Sequence, residues 1–367
     1  MVRSQVDIHV AAERTRELLL EAVDSTIGNG KEAIGVSLSG GLDSSSILAC
    51  VSKLRKNARI KTLSVISDDK REDAKYSEMV ANEFGTEHVI VRPNADEFWR
   101  ELTEFVGCQE EPVPGVDTYC DWKMHERAKN ESVKKLLGGT GSDALLLGDR
   151  NYLPHYWLTL LGQKEYMMLL ANLLGFYDTS LKLLWRNIVP LLKDPGGTAP
   201  LLSQGLSKGN SEDLLTEKLA SNLSSHSTSS IPEDLQCLYN NATYFGVEPK
   251  SPFLYLPLAE YLMNLSLDCK IRKGYTKYVL REAMQPLLPQ RVVRRRSKDV
   301  FAHPESKWFN GPLRERLHDF FSSKSLRGTE YYAPSRIRDL LASKMHEPEC
   351  AYVWRVLNLE VWLQQFF

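Results

Sequence analysis

Short apolar runs alternate with amphipathic segments through the first third of the chain. The apolar runs occupy residues 34–38, 60–66 and 88–92, and segments with helical spacing of apolar side chains separate them at 44–56 and 73–84. Strands that alternate with helices in this way form a parallel sheet with helices on both of its faces. The pattern therefore predicts an α/β fold.

Helical spacing also precedes and follows this series. Residues 7–27 carry apolar side chains three and four positions apart, and further helices are expected near 95–106 and 118–130. The run 133–137 predicts another short strand, which empties into a glycine-rich segment at 138–143. Two glycine-rich strand ends are thus expected at one edge of the sheet, where ligands of open α/β folds collect.

Beyond about residue 150 the strand signal fades and long helical patterns replace it. A stretch rich in Gly and Ser at 194–231 suggests a mobile insertion or lid. The end of the chain, 352–367, is an amphipathic helix that we expect to dock. We divide the chain into three parts: a nucleotide-binding α/β core at 1–150, a helical and Gly/Ser-rich insertion at 151–235, and a helical C-terminal part at 236–367.

Charge and cysteine content narrow the class of protein. The 367 residues include 46 basic and 47 acidic side chains, so no overall charge favours nucleic acid or membrane as a partner. The six cysteines show no Cys-x-x-Cys spacing, which is typical of reduced structural thiols. The first residues form no apolar signal segment, and a cytoplasmic location is expected.

The first predicted strand runs into the turn Ser-Leu-Ser-Gly-Gly-Leu-Asp-Ser-Ser at residues 37–45 and then into a helix. Glycines let a backbone approach an anion closely, and the amides of a helix start point outward toward it. The hydroxyls of Ser39, Ser44 and Ser45 add donors. A carboxylate beside a polyphosphate repels it unless a divalent cation lies between them, so Asp43 predicts Mg²⁺ as well as a nucleotide.

This turn is not a Walker loop, because no lysine follows its glycines. The pattern Ser-Gly-Gly-x-Asp-Ser at 39–44 resembles the pyrophosphate-loop signature of the ATP pyrophosphatases, which split ATP into AMP and pyrophosphate. The alternative is a plain Gly-rich strand-to-helix turn with a Ser N-cap.

Three later segments resemble the synthetase half of the asparagine synthetase family. They lie at 249–258, 273–283 and 288–298, and they follow the loop at 39–45 and the sequence Gly-Thr-Gly-Ser-Asp at 139–143 in the family's order. The family also includes β-lactam and carbapenam synthetases and lasso-peptide cyclases. The resemblance implies a parallel-sheet ATP pyrophosphatase fold, of the adenine nucleotide alpha hydrolase type, with a helical C-terminal half.

The resemblance also implies a site for ATP and Mg²⁺. Loop residues hold the β- and γ-phosphates, three residues contact adenosine, and two aspartates bind the metal. The implied phosphate ligands are Ser39, Gly40, Gly41, Asp43 and Ser44, the adenosine contacts are Leu38, Val65 and Gly139, and the metal ligands are Asp43 and Asp143. Leu38 and Val65 are equally compatible with ordinary core positions in strands.

Lys277 falls on the family's catalytic lysine, which stabilises charge during adenylation and amide formation. Its alternative is a solvated lysine on an amphipathic helix. Lys298 also matches a family lysine and is a candidate ligand of pyrophosphate. The neighbouring arginines, Arg291 and the run 294–296, could also attract ATP or hold pyrophosphate, but most of them are more typical of a solvated helix end.

Three positions depart from the family pattern. Thr140 stands where asparagine synthetases have Glu and β-lactam synthetases have Tyr, and Ala144 stands where an acidic residue usually follows the aspartate. Tyr255 occupies a position that is often Asp. Since Thr is neither a carboxylate nor a phenol, the usual acid–base group at that point is missing. Aspartate therefore becomes one candidate substrate among several carboxylates.

The resemblance predicts a ligase that adenylates a carboxylate and transfers it to ammonia or an amine. A glutaminase domain with an N-terminal Cys nucleophile precedes the synthetase region in full-length asparagine synthetases, whereas here Met1 and Val2 are followed almost at once by the synthetase region. We therefore expect no glutaminase in this chain. Its nitrogen would come from free ammonia or a substrate amine, from a separate glutaminase subunit, or from another part of a longer protein.

Other functions stay open beside this one. A β-lactam- or macrolactam-forming cyclase fits the altered pocket. A tRNA-modifying or sulfur-transferring pyrophosphatase shares the loop but needs catalytic cysteines and a basic face, and neither is evident. A non-catalytic scaffold fits Thr140 and Ala144, whereas the intact Asp43, Asp143 and Lys277 argue against it.

Overall fold

The computed structural model describes seven stretches of the chain: residues 7–28, 33–56, 59–66, 71–150, 153–176, 231–296 and 304–367. The strands are β1 (Ile34–Ser37), β2 (Ile60–Val65), β3 (Glu87–Val91), β4 (Lys135–Leu137) and β5 (Glu248–Lys250). The helices of the first half are α1 (Ile8–Ile27), α2 (Leu42–Leu54), α3 (Arg71–Glu83), α4 (Ala95–Gln109), α5 (Asp117–Asn130), α6 (Ser142–Leu146), α7 (Leu153–Gly162) and α8 (Tyr166–Gly175).

Helices dominate the second half. They are α9 (Leu256–Asn264), α10 (Leu267–Lys270), α11 (Tyr278–Met284), α12 (Gln290–Val293), α13 (Pro304–Asn310), α14 (Arg314–Ser322), α15 (Pro334–Ala342) and α16 (Glu347–Phe366). Residues 231–245 are also helical, and one 3₁₀ turn spans Pro252–Leu254. Lys298 and the expected lid, apart from its last residue, lie outside the described residues.

The five strands form one all-parallel sheet in the order β3-β2-β1-β4-β5. The central strand β1 pairs Ile34 with Ile60 on one side and with Lys135 on the other. Continuous apolar runs suit such strands, because a parallel sheet is covered on both faces. The predicted α/β class is confirmed, and β1 and β4 end at the same edge as adjacent strands.

No pattern in the sequence predicted β5, and the expectation of helices alone after residue 150 missed it. This strand has only three residues, Glu-Pro-Lys, at the edge of the sheet. Proline is tolerated in an edge strand because only one side of that strand must donate hydrogen bonds. Its parallel pairing with β4 identifies it as a strand, and in this pairing Pro249 lies opposite Leu136.

The chain divides into two compact units, each discontinuous in sequence. The first unit comprises residues 1–26, 139–233 and 251–296, and the second comprises 27–138, 234–250 and 297–367. All five strands belong to the second unit. The sequence-based division into three consecutive parts stays a prediction.

The second unit is built on an aromatic core. Phe98 contacts Tyr119 edge-to-face with ring centroids 5.1 Å apart, and it also contacts Trp308 and Trp354. Helix α16 docks in this unit, since the Trp362 indole N–H donates to the Glu110 carbonyl at 2.7 Å. The expected docking of the C-terminal helix is therefore confirmed.

The first unit has a smaller core in which α7 and α8 pack together. Its buried apolar side chains are Leu147, Leu153, Tyr156, Trp157, Leu160, Phe176 and Ile271. The Tyr156 hydroxyl lies 3.0 Å from the Asp268 carboxylate and 3.2 Å from the Ile271 carbonyl. These bonds satisfy the one polar atom of a buried ring and tie α7 to α10.

No disulfide bond joins any of the six cysteines. Among the described residues, no helix has the length and apolar character needed to span a bilayer.

Candidate active site

The predicted site residues that the structure describes fall into two groups, one in each unit. The second unit holds Leu38, the turn at 39–41, Asp43, Ser44, Ser45 and Val65. The first unit holds Gly139, Thr140, Asp143 and Lys277.

The turn after β1 is anchored to the neighbouring strand. The Leu38 N–H donates to the Leu63 carbonyl at 2.7 Å, and the Ser64 hydroxyl donates to the Leu38 carbonyl. Leu38 itself is buried. The backbone therefore leaves β1 in one fixed direction before it reaches the glycines.

Gly40 is required by both conformation and packing. Its φ of +69° lies in the left-handed region. A Cβ there would lie 2.6 Å from the Ser77 amide nitrogen and 2.7 Å from the Tyr76 carbonyl carbon, both of them backbone atoms. Because backbone cannot step aside cheaply, this position accepts glycine alone.

The start of α2 lacks a side-chain cap. Gly41 is the N-cap residue and has no side chain to cap the helix, and its own N–H donates to the Ser39 hydroxyl at 3.4 Å. The Ser44 hydroxyl instead accepts from the Ser39 N–H at 3.1 Å and lies 3.0 Å from the Ser39 hydroxyl. The first amides of a helix have no intrahelical acceptor, so an uncapped start next to a glycine turn suits an anion.

The next two serines of α2 differ in their partners. Ser45 is fully buried, and its hydroxyl makes no hydrogen bond within the described part of the chain. The Ser46 hydroxyl donates to the Leu42 carbonyl at 2.6 Å. An unsatisfied buried hydroxyl is costly, which makes Ser45 a fitting donor for a bound group. Asp43, in the first turn of the same helix, is also buried.

Val65 ends β2 and is partly buried against the aromatic core of the second unit. This packing suits an ordinary core residue. Its predicted contact with adenosine stays a prediction.

In the first unit, a second glycine turn leads into α6. Gly141 is the N-cap, with φ +90°. A Cβ on Gly141 would lie 2.4 Å from Leu254 Cδ2, so the 3₁₀ turn at Pro252–Leu254 packs directly on this loop. Gly139 and Thr140 precede it and are partly exposed.

Lys277 and Asp143 form an ion pair. The Lys277 ammonium lies 2.6 Å from Asp143 Oδ1 and 3.4 Å from the Ser142 hydroxyl. The lysine side chain is only 7% exposed, whereas the Asp143 carboxylate is 56% exposed. A solvated lysine, the alternative reading of the sequence, is wrong because this side chain is buried and paired.

The loop that presents Lys277 is tightly wound. Lys273, Gly274 and Lys277 all have positive φ, and Arg272 pairs with Tyr275 across the turn. Left-handed lysines are uncommon and cost free energy, so the surrounding structure must hold them. Lys277 serves as the N-cap residue of α11.

The arginines near this loop are structural. Arg281 donates to the Thr276 carbonyl at 2.9 Å and to the Arg295 carbonyl at 2.9 Å. Its guanidinium and that of Arg296 lie 4.9 and 4.8 Å from the Tyr275 ring centroid. Arg296 also donates to the Gly175 carbonyl at 3.1 Å. Arg296 is exposed, as expected for most of these arginines, although a backbone carbonyl and the Tyr275 ring hold its side chain.

Tyr255, at one departure from the family pattern, is held by α1. Its hydroxyl donates to Glu21 Oε1 at 3.1 Å. That hydrogen bond raises the pKa of Tyr255 above its ordinary value.

The carboxylates suit Mg²⁺ in chemistry, since Mg²⁺ prefers oxygen ligands and takes few from protein when phosphates supply the rest. Among the described residues, no group of three or more His, Cys, Asp and Glu side chains forms a metal cage. A site that is completed by phosphate oxygens is compatible with this observation.

Two features of this geometry had no counterpart in the sequence analysis. One is the direct Lys277–Asp143 contact, and the other is Gly148, which packs against both side chains. Gly148 carried no motif signal, because a single glycine after a short helix is common in any fold.

The family model for asparagine synthase matches residues 14–364. The chain therefore belongs to the asparagine synthase family. The match includes every predicted site residue and both units. It confirms the resemblance found in the sequence.

Three curated proteins are similar to this asparagine synthase family member. Amidase chyE of Penicillium rubens is 22% identical over 88% of this chain and 56% of its own length. Asparagine synthetase [glutamine-hydrolyzing] 1 of Bacillus subtilis is 22% identical over 90% of this chain and 55% of its own length. Putative asparagine synthetase [glutamine-hydrolyzing] 2 of Methanocaldococcus jannaschii is 25% identical over 39% of this chain and 28% of its own length. The chain thus spans about half the length of the first of these relatives.

Proposed function

We propose that the chain is an ATP-dependent, amide-forming ligase of the asparagine synthetase type. The observation that carries the proposal is the loop after β1, where a left-handed glycine with no room for a Cβ, a buried Ser45 hydroxyl with no partner among the described residues and a glycine N-cap favour an anion. The occurrence of this loop in an asparagine synthase family chain supports ATP as that anion.

In this proposal, ATP is held mainly by backbone and small side chains. The triphosphate lies against the turn at 39–41 and the hydroxyls of Ser44 and Ser45. Adenosine contacts Leu38, Val65 and Gly139, and Lys298 assists the leaving pyrophosphate. Backbone amides recognise phosphate without a mobile side chain, which keeps the entropic cost of ordering low.

Asp43 and Asp143 are the proposed ligands of Mg²⁺. They follow the adjacent strands β1 and β4 along the chain. Mg²⁺, when bound, neutralises phosphate charge and assists the departure of pyrophosphate. A carboxylate has two oxygens that accept several bonds, so Asp143 can hold both Lys277 and a cation.

The reaction proceeds in two steps. An oxygen of the substrate carboxylate attacks the α-phosphorus of ATP, and the bond to the β-phosphate oxygen breaks, which yields an acyl-adenylate and pyrophosphate. The nitrogen of ammonia or an amine then attacks the acyl carbon, AMP leaves with the bridging oxygen, and the nitrogen loses a proton. Lys277 stays protonated and stabilises the negative charge at the acyl centre.

Two kinds of carboxylate substrate are candidates: aspartate, and a carboxylate other than aspartate. Thr140 supplies no carboxylate to take the proton from the attacking nitrogen, and Tyr255, tied to Glu21, replaces an acidic residue. Both features favour an amide-forming reaction on a carboxylate other than aspartate, including an intramolecular cyclisation.

The proposal is tested by ATP–pyrophosphate exchange across a panel of carboxylic acids, with ammonia, simple amines and a separate glutaminase as nitrogen sources in parallel turnover assays. We expect exchange that depends on one class of acid. Asp43→Asn should abolish it, whereas Asp96→Asn, which removes an exposed carboxylate 2.7 Å from Arg316 in the same unit, should not. Absence of exchange with every acid, in protein that binds ATP, would instead support a non-catalytic scaffold.

A further inference from the structure

Gly148 lies where the chain turns back at the end of α6. Leu147 ends this helix with φ +54°, and the Gly148 N–H donates to the Asp143 carbonyl at 2.8 Å. A left-handed residue at a helix end directs the chain back along the helix it has just left. Gly148 is therefore returned to the side of Asp143, near the start of the same short helix.

The ion pair between Lys277 and Asp143 occupies the space that a side chain at residue 148 would need. A Cβ at this position would lie 2.0 Å from Asp143 Oδ1, 2.1 Å from Lys277 Cε and 2.8 Å from Lys277 Nζ. The atoms in the way are the far ends of two side chains, and they include both partners of the 2.6 Å contact. A methyl group at residue 148 can therefore be accommodated only if the pair moves.

We propose that Gly148 is a positioning residue that fixes the Lys277 ammonium on Asp143. The structural part of this inference, that Gly148 holds Lys277 in place, rests on packing alone. Its catalytic part, that Lys277 acts in amide formation, rests on the proposed function. Lysine has a flexible four-carbon stem, so an ammonium that must meet a developing charge needs walls around its stem. The Gly148 backbone is one such wall, and it restricts Lys277 without touching the substrate.

The first test measures the position of Lys277 without any assay of activity. The protein and its Gly148→Ala variant are treated with a trace of an amine-acylating reagent, and mass spectrometry compares Lys277 with the exposed Lys164 as internal reference. A displaced Lys277 should be acylated severalfold faster in Gly148→Ala. An unchanged rate would overturn the proposal.

Gly107 provides a matched control. A Cβ at Gly107, in α4 of the other unit, would lie 2.1 Å from Gln365 Nε2, which is also the far end of a flexible side chain. Gly107→Ala therefore introduces a comparable steric conflict away from Lys277. Its acylation pattern should equal that of the unchanged protein.

A double-mutant cycle supplies the second test. Gly148→Ala should lower the melting temperature when lysine is present at residue 277, and it should lower it less in the Lys277→Ala background, where the stem is gone and only the exposed Asp143 carboxylate has to turn aside. If Gly148→Ala fails to fold, the double variant should recover folding. Equal destabilisation in both backgrounds, or failure of both to fold, would overturn the proposal.

Activity separates this inference from the proposed function. In Gly148→Ala we expect the fall in kcat for amide formation to exceed the rise in the KM for ATP, because the turn at 39–41 is untouched although Asp143, a proposed Mg²⁺ ligand, moves with the pair. Faster acylation of Lys277 with unchanged kcat would leave the positioning role intact and would contradict the proposed role of Lys277. Unchanged acylation of Lys277 with a reduced kcat would contradict the positioning role of Gly148 and leave the proposed role of Lys277 intact.

Discussion

The Lys277 ammonium lies 2.6 Å from Oδ1 of Asp143, and the two side chains face different surroundings, because the lysine is buried and the carboxylate is more than half exposed. A buried charge needs a close partner of opposite sign. Asp143 supplies it while remaining accessible to solvent. The pair therefore holds a lysine in place beside an exposed carboxylate.

Replacement of the lysine should separate chemistry from folding. Lys277→Ala should lower the rate of amide formation about 100-fold or more, because one fixed charge at a developing oxyanion contributes on that order. The exposed Asp143 carboxylate can be solvated in this variant, so the circular dichroism spectrum should not change. The measurement is single-turnover product formation.

Lys123 provides the control for that variant. Its side chain is nearly as buried, and it pairs with Glu101 at 3.1 Å in the other unit. Lys123→Ala should lower the melting temperature and leave turnover of the folded protein unchanged. Full activity in Lys277→Ala would refute the role given to that lysine.

Gly40 should be the less replaceable of the two glycines in the turn at 39–41, the proposed triphosphate site. Gly40→Ala combines a left-handed φ, which costs about 1–2 kcal/mol, with a clash against the Ser77 backbone. Gly85→Ala is the matched control, since its φ is +61° with nothing within 4 Å of a Cβ. Urea unfolding should show a clearly larger loss for Gly40→Ala. Equal losses in the two variants would mean that the loop relaxes around the methyl group.

The adjacent residues Ser45 and Ser46 allow a test of whether the loop after β1 binds phosphate, because only the Ser46 hydroxyl has a hydrogen-bond partner among the described residues. Ser45→Ala removes a buried hydroxyl without a partner in the described chain, so it should leave stability unchanged or raise it. It should at the same time weaken Mg-ATP binding about 10- to 150-fold, the worth of one hydrogen bond to a charged group. Ser46→Ala should leave affinity unchanged in calorimetry. Equal effects of the two variants on affinity would argue against Ser45 as a phosphate ligand.

The acid limit of stability should depend on Glu360. Burial works to raise the pKa of this carboxyl, but hydrogen bonds from the Arg327 N–H, the Tyr332 hydroxyl and the Gly328 N–H hold the pKa below its ordinary value of 4.5. A carboxyl with a lowered folded pKa contributes stability that is complete above its unfolded pKa and is lost as the pH falls through its folded pKa.

We therefore expect the free energy of unfolding to fall as the pH is lowered below about 4.5, and Glu360→Gln should flatten this slope. The measurement is urea unfolding at a series of pH values between about 3 and about 7. Glu347→Gln, at an exposed carboxyl, serves as control. A Glu360→Gln variant that keeps the full slope would assign the acid transition to other carboxyls.

The sequence predicted those parts of the fold that depend on local pattern. Apolar runs located β1 to β4 within one or two residues, because β1, β2 and β4 are mostly buried and β3, although less buried, keeps an apolar run. It could not reveal β5, whose three residues, Glu248 to Lys250, are strand by pairing alone. Nor could it reveal the two discontinuous units, since contacts between distant segments leave no periodic trace.

The same limit applies to the site. The glycines of the triphosphate loop were recognisable because a turn of this kind needs small residues next to a strand end. The contact between Lys277 and Asp143 joins two loops that are far apart in sequence, and Gly148 acquires its importance only from that contact. Long-range packing therefore carries the information that the motifs lack.

The bond at which ATP is cleaved tests the central claim most directly. The protein is incubated with Mg²⁺, ATP labelled at the α-phosphate, the carboxylate identified by exchange and a nitrogen source, and the labelled product is separated by chromatography. The account predicts labelled AMP, with one pyrophosphate and one amide formed for each ATP consumed. Labelled ADP with release of orthophosphate would contradict it.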